Sequence, residues 1–389
     1  MPPLRKADRF NADHGQGNEK IDRLIDPHQF RLIFRVDANR EIGSGHAMRC
    51  IALADAAHRM GVEILFVGSD AATVSYVKRN SPYECSVIKG EWTRLDRPDA
   101  RSLCELCRLW QADAVLVDSY GAGFGFFEEL HARSGQTLVS CIDDQYTLEN
   151  GPSDDVVRRP VDCVVAYSFY AARQQWEGRY HGASTSLLIG PRFTPLRLEF
   201  ARGARVRSGE VDRVLIMSGA TNPNRSLERM VEGVVGVLEH VHIDVVQGQL
   251  AEFKPRRLSE AHIEVHRNVS NLSGLMSRAD FAVSAGGSTL YELACNGLPA
   301  LACPIVDNQV RNARAYEEVC KGKSMGGVEW TSAEVTEKIR QFVAPAKLRR
   351  CSMISRDVVD GFGASRIIEA LISAADAKRG IKKSDRPCR

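Results

Sequence analysis

From about residue 30 onward, short apolar runs alternate with longer segments of helical period. "RLIFRV", "EILFVG", "CSVI", "DAVLVD" and "TLVSCID" are rich in aliphatic and β-branched residues and too short for buried helices, so they read as strands. Between them, "AMRCIALADAAHRM" and "GFFEELHARSG" carry their apolar residues at helical spacing. Strands that are apolar on both faces and separated by helices belong to a parallel sheet covered on each side. "VDCVVA" and "SLLIG" extend that sheet to about residue 190.

There the pattern breaks. "PRFTPLRLEFARGARVRSGEV" holds Pro191, Pro195, Gly203 and Gly209 among arginines with no steady period, and residues 191–209 read as an interdomain linker. Alternation resumes in "RVLIMSG", "RSLERMVEGVVGVLEH", "VHIDVVQG", "HIEVH", "NLSGLMSRA", "DFAVSAGG", "STLYELACNG" and "LPALACP". The expected architecture is α/β: two Rossmann-like, doubly wound domains facing a cleft. The N-terminal one, with the candidate catalytic histidine, covers residues 30–190; the C-terminal, nucleotide-binding one covers 210–350. Residues 351–378 read as a C-terminal helix, and the stretch "GASRIIEALISAADAKRG" at its end as folding back on the first domain. Residues 1–29 are polar and read as a disordered extension, as does the basic tail 379–389. Ligands of open α/β sheets bind beyond the carboxyl ends of the strands. The loops after "RLIFRVD", "RVLIMSG" and "DFAVS" are therefore expected to meet at the cleft.

Composition narrows the function classes. A chain of 389 residues with 44% apolar and 26% charged residues has the make-up of a globular protein of two domains. The net charge of +3 is small and the basic residues are scattered, so no nucleic-acid partner is expected. No apolar stretch is long enough for a signal peptide or a membrane helix, so no membrane insertion is expected either. The eleven cysteines form no paired framework and read as reduced thiols of a cytoplasmic protein. Cys104 and Cys107 in "CELC" lack the second pair that zinc requires and read as small apolar residues of a helix.

Two stretches carry chemistry. "IGSGHAMRC", residues 42–50, joins a strand to a helix, but Met48 stands where a dinucleotide loop needs its third glycine. Gly43 and Gly45 still allow a bare backbone approach to a ligand, with Arg49 beside them as a substrate contact. His46 falls at the helix start. The helix N-terminus disfavours imidazolium, so a neutral, proton-accepting His46 is expected there. The alternative is a capping or packing histidine. In "SAGGSTLYELACNGLPALACPIVDNQ", residues 284–309, a strand ends in small residues and a helix begins near Ser288. Its first N–H groups are open to an anion such as a diphosphate, with Ser284, Gly286, Gly287, Ser288 and Thr289 at the loop. Glu292 lies one turn on, where it reaches ribose hydroxyls or is simply a solvated helix carboxylate. Asn308 and Gln309 face the same cleft.

Together, "FRVDANREIGSGHAMRC" and this second string resemble the UDP-2,4-diacetamido-2,4,6-trideoxy-β-L-altropyranose hydrolase (PseG) family of pseudaminic acid biosynthesis. The second string also resembles the nucleotide-sugar half of MurG-type glycosyltransferases, whose GT-B fold that family shares. The resemblance covers about residues 30–320; "LVDSYG" (Asp118, Ser119, Tyr120) and "IDD" (Asp143, Asp144) fall where the family has similar strings. It implies that His46 is the catalytic histidine acting on water, and that Asp118, Tyr120, Asn308 and Gln309 serve the sugar. It implies further that the Gly286–Thr289 loop holds the diphosphate and Glu292 the ribose. Where the family shows a "GGTDPN"-like string this chain reads "SGATNPN": Ser218 and Ala220 replace glycines and Asn222 replaces the acid, with Gly219 and Thr221 on the nucleotide side. The implied reaction is release of UDP by water attack at the anomeric carbon with inversion, for surface polysaccharide or flagellin glycosylation. It needs a UDP-sugar substrate, no cofactor and no metal; Asp143 and Asp144 read as loop-capping or substrate-bonding acids rather than a metal pair. Two alternatives remain open, a GT-B glycosyltransferase using a UDP-sugar donor and a non-catalytic nucleotide-sugar binding protein.

Overall fold

Seven parallel strands form the first sheet: β1 (Arg31–Val36), β2 (Glu63–Gly68), β3 (Glu84–Val87), β4 (Ala114–Asp118), β5 (Leu138–Ile142), β6 (Cys163–Ala166) and β7 (Ser186–Ile189). The structure is a computed structural model describing residues 29–381 apart from 40, 144–159, 181–182, 220, 239, 249–250 and 255–261. Residues 1–28 of the expected extension 1–29, Asp144, Ala220 and residues 382–389 of the expected tail therefore lie outside the described residues. Helices α1 (Gly45–Arg59), α2 (Ala71–Asn80), α3 (Arg97–Leu109), α4 (Phe124–Arg133) and α5 (Arg173–Arg179) connect the strands. The order β3-β2-β1-β4-β5-β6-β7 reverses direction between β1 and β4. All residues of β1, β4 and β5 are buried, which explains why they are mostly apolar: helices cover both faces of the sheet. "CELC" lies within α3, with Cys107 buried and Cys104 partly so.

The second sheet has six parallel strands, β8 (Arg213–Met217), β9 (His242–Gln247), β10 (His262–Arg267), β11 (Phe281–Ser284), β12 (Ala300–Ala302) and β13 (Lys323–Ser324). Its order, β10-β9-β8-β11-β12-β13, reverses between β8 and β11. The connecting helices are α6 (Leu198–Arg202), α7 (Ser226–Val235), α8 (Leu272–Arg278), α9 (Thr289–Asn296), α10 (Val310–Cys320) and α11 (Ser332–Phe342), followed by α12 (Pro345–Val358) and α13 (Gly363–Arg379). These are two Rossmann-like domains with the GT-B architecture. β13 is an edge strand of two residues and has no sequence pattern long enough to announce it.

Two segments differ from expectation. The stretch 351–378 is not one helix: α12 packs on α9 and α10 of the second domain, and α13 crosses back to α1 and β5 of the first. The break holds Gly361 at φ +82°, and a Cβ at Gly363 would stand 2.3 Å from the Thr194 carbonyl oxygen. A side chain at either position would oppose the turn or the docking. The end of α13 is tied down by Lys378, whose Nζ donates to Thr137 O (2.9 Å) and Asp162 Oδ2 (2.8 Å).

The 191–209 segment is no loose linker. It contains α6, and Arg207 is 1% exposed. Its guanidinium donates to the carbonyls of Ala279 (2.9 Å), Arg205 (2.8 Å), Asn296 (3.0 Å) and Met276 (2.7 Å), and to Asn296 Oδ1 (2.7 Å). Burial, with Arg205 nearby, lowers its pKa to about 9, so it remains a cation at neutral pH, neutralised by carbonyl dipoles. An arginine-rich, aperiodic stretch is thereby integrated into the second domain.

Candidate functional site

Both sheets reverse direction at the same kind of place, and at each reversal the strand ends diverge to leave a crevice. The loops after β1 and β4 open on one side and the loop after β11 on the other. Between them lies a cleft of about 800 Å³ lined by residues of both domains.

On the first wall, Val36 at the end of β1 pairs in register with Asp118 at the end of β4. The chain leaving β1 turns through 37–44 into α1, and His46 and Arg49 on its first turn stand over that carboxylate. His46 Nδ1 lies 2.7 Å from Asp118 Oδ1; Arg49 reaches both carboxylate oxygens, through Nε at 2.6 Å and a terminal nitrogen at 2.5 Å. Arg49 also donates to the Tyr167 hydroxyl (2.7 Å). Asp118 is 1% exposed. Burial alone would raise its pKa, but Arg49 and His46 outweigh it and hold the carboxyl well below the usual carboxylate range. An ionised carboxylate only accepts, so Nδ1 carries the proton and donates it to Asp118. In the neutral ring the lone pair then lies on Nε2, which has no protein hydrogen bond among the described residues and is left to the cleft. Tyr120 meets the imidazole edge-on, ring centroids 4.3 Å apart. Beneath them, burial and Asp118 raise the Cys50 thiol far above its ordinary range, so it stays protonated.

On the second wall, the loop 285–288 leads from β11 into α9. The first N–H groups of a helix have no intrahelical partners, and Ser288 at the cap makes no side-chain capping bond. Gly286 N–H donates to Gln309 Oε1 (3.1 Å), and Asn312 Nδ2 donates to the carbonyls of Gly286 (2.9 Å) and Gly287 (3.3 Å). Glu292 faces the cleft and is partly buried; burial pushes its carboxyl up to about 7, with Glu199 adding to the rise and Arg197 opposing it. A helix N-terminus with open donors binds an anion, and a carboxylate one turn on accepts hydroxyl donors.

Among the sequence-predicted residues, the cleft brings together Gly45, His46, Arg49 and Tyr120 with Gly286, Gly287, Ser288, Glu292, Asn308 and Gln309. Asp118 lies behind His46 and Arg49, outside the cleft lining and bonded to both. Ser284 is fully buried at the end of β11. Gly43, Gly219, Thr221 and Thr289 are outside the lining. Gly43 closes a turn onto Asn39, and Thr221 O accepts from Ser218 Oγ (2.6 Å). Asn222, the departure from the family acid, caps α7: its Oδ1 accepts from Leu227 N–H (2.8 Å) and its Nδ2 donates to Glu228 (2.9 Å). Asp143 is buried at the end of β5, outside this lining. Tyr167, Arg197, Tyr291, Arg311 and Asn312 also line the cleft and were not singled out by sequence. Arg311 and Asn312 follow Asn308 and Gln309 by one turn, a spacing that was available as a signal; Tyr167 and Tyr291 read as ordinary core residues. Away from the cleft, Asp244, Glu264 and His266 bring three metal-ligand types together on β9 and β10. Asp244 already accepts from Arg213 (2.8 Å) and His266 (2.8 Å), so its charge is taken up by an ion pair.

Residues 213–358, the second domain, match the Glycosyltransferase family 28 C-terminal domain. The chain is 22% identical over 285 residues to the uncharacterized protein MJ1062 of Methanocaldococcus jannaschii, covering 70% of this chain and 55% of that one. It is 20% identical to the spore coat polysaccharide biosynthesis protein SpsG of Bacillus subtilis, over 86% of this chain and 96% of that protein. A shorter match, 27% identical over 133 residues, joins it to a Helicobacter pylori protein named pseudaminic acid cytidylyltransferase and UDP-2,4-diacetamido-2,4,6-trideoxy-β-L-altropyranose hydrolase, covering 34% of this chain and 24% of that one. The chain thus spans about half the length of the archaeal protein and a quarter of the Helicobacter one. Among solved structures, Acinetobacter baumannii MurG superposes with a TM-score of 0.63 at 13% identity, over 89% of this chain and 99% of that one. The fold is that of GT-B glycosyltransferases such as MurG.

Proposed function

We propose that this protein is a nucleotide-sugar hydrolase that releases UDP from UDP-2,4-diacetamido-2,4,6-trideoxy-β-L-altropyranose, in the biosynthesis of pseudaminic acid, a sialic-acid-like sugar. The observation that carries the reading is a buried His46–Asp118 pair opposite an open helix N-terminus across one cleft. The diphosphate sits against the N–H groups of Gly287 and Ser288 at the start of α9, with Glu292 on the ribose. Water enters on the His46 side. As its oxygen attacks the anomeric carbon, its proton passes to Nε2, and the bond from that carbon to the phosphate oxygen breaks with its electrons leaving on UDP. Donors fixed at the helix start stabilise the charge that develops there. Asp118 stabilises the imidazolium formed on the other side. Attack and departure on opposite faces invert the anomeric centre, as in inverting glycoside hydrolysis.

A second reading, a transferase passing the sugar to an acceptor, is supported by the family 28 match of the nucleotide half. One experiment separates the two: UDP release from this nucleotide sugar without acceptor, wild type beside His46→Ala. Hydrolysis predicts release by the wild type and loss of about 10²–10⁴-fold in the variant, the usual contribution of a positioned acid–base group. UDP binding without release in either protein would overturn the hydrolase reading in favour of a transferase or a binding protein.

A further inference from the structure

We infer that Tyr291 is a positioning residue that aims the diphosphate-binding N–H groups and anchors them to the first domain; this rests on the reading of the 286–288 loop as a diphosphate site. Tyr291 belongs to α9 but is packed by the other domain. Its ring lies flat on Phe169, centroids 4.1 Å apart and planes 6° from parallel, and meets Tyr167 edge-on at 5.5 Å. Its hydroxyl accepts from the Phe169 N–H (3.2 Å) and donates to Asn312 Oδ1 (2.6 Å).

The direction of these bonds fixes the loop. Because the hydroxyl accepts from a backbone N–H, its proton is free to go to Asn312, and Asn312 must present Oδ1 to it. Nδ2 then faces the carbonyls of Gly286 and Gly287, as observed. A trans peptide is planar, with C=O and N–H opposed. Turning the Gly286 and Gly287 carbonyls toward Asn312 therefore turns the N–H groups of Gly287 and Ser288 the other way. Two glycines in succession hold no such orientation by themselves. Without the Tyr291 hydroxyl, the Asn312 amide loses the bond that holds its Oδ1, and the loop keeps only the Gln309 bond to the Gly286 N–H beside a freer Asn312. Movement of the first domain against the second is transmitted to the loop by the same chain of bonds.

Tyr291→Phe keeps the aromatic stack and removes only the hydroxyl. Tyr316→Phe is the control: its hydroxyl is also buried in the second domain and accepts a backbone N–H, from Ala300 at 3.1 Å, but it does not touch the loop. Titration calorimetry with UDP is expected to show at least about tenfold weaker binding for Tyr291→Phe and an unchanged affinity for Tyr316→Phe, with comparable losses of thermal stability. In turnover, Tyr291→Phe should raise KM and lower kcat together, because the same N–H groups serve bound substrate and leaving group. Wild-type affinity in Tyr291→Phe, or equal weakening in both variants, would overturn the inference while leaving the diphosphate site intact. A wild type that does not bind UDP would remove the diphosphate reading itself, and this inference with it.

Discussion

Replacing Asp118 by Asn tests the division of labour on the first wall. The exchange keeps the size of the side chain, but an amide offers one acceptor where the carboxylate offers two. Arg49 claims both oxygens at 2.5–2.6 Å, and a charged donor holds the remaining oxygen more strongly than a neutral imidazole does. The amide NH₂ is then turned to His46 Nδ1, which must accept; the proton moves to Nε2 and the lone pair is lost from the cleft. The imidazolium formed during reaction also loses its counter-charge. For unit charges about 4 Å apart at an effective dielectric of about 20, that interaction is about 4 kcal/mol. At about 1.4 kcal/mol per tenfold in rate, kcat should fall about 10³-fold. The equivalent exchange in Ser-His-Asp hydrolases costs about 10⁴. KM should stay within about threefold, because Asp118 does not line the cleft. The assay is UDP release at saturating substrate, run below the melting temperature; leaving Arg49 without its full partner is expected to cost about 3–5 kcal/mol of stability. A folded variant with less than a tenfold loss in kcat, or with a raised KM and normal kcat, would refute the orienting role and return Asp118 to the substrate.

Glu292→Gln should change how stability depends on pH. In the fold Glu292 keeps its proton up to about 7, whereas in the unfolded chain it ionises near its ordinary value of 4.5. Between those values the native state holds a proton that the unfolded state has lost, so this group's contribution to stability falls as pH rises from about 4.5 to 7 and is flat above. The Gln variant should match the wild type below about pH 4.5 and exceed it above 7; parallel denaturation profiles would contradict the buried, protonated state. Gly363→Ala places a methyl group against the Thr194 backbone, where α13 docks on the first domain. A loss of about 1–3 kcal/mol in urea unfolding is expected, and no loss would show that the docking yields without strain.

Much of the fold was legible because of one physical circumstance. Strands covered on both faces must be mostly apolar, so β1, β4, β5 and β11 stand out as runs despite the buried Arg31, Arg35, Asp118, Ser140 and Ser284, and the helices between them keep their period. The positions of His46 and the 286–288 loop follow from the same pattern, since both fall where a strand at which a sheet reverses passes into the helix that follows it. Polar burial was not legible. Arg207 looks like a linker arginine because most of its guanidinium bonds go to main-chain carbonyls, which every residue has. The break between α12 and α13 is likewise marked only by Gly361 and Gly363, whose partners Ala201 and Thr194 are distant in sequence.

The sequence by itself determined the two doubly wound domains and two of the three loops expected at the cleft, those after β1 and β11, whereas no residue of the loop after β8 lines it; local period and the chemistry at strand ends are enough for that. Only the tertiary structure brought Asp118, 72 residues from His46, within hydrogen-bonding distance of it, and set the Tyr291 hydroxyl between the Phe169 N–H of the first domain and Asn312. Those assignments depend on strand register and interdomain packing, which bring together side chains whose separate sequence contexts describe nothing more than a strand end and a buried helix face.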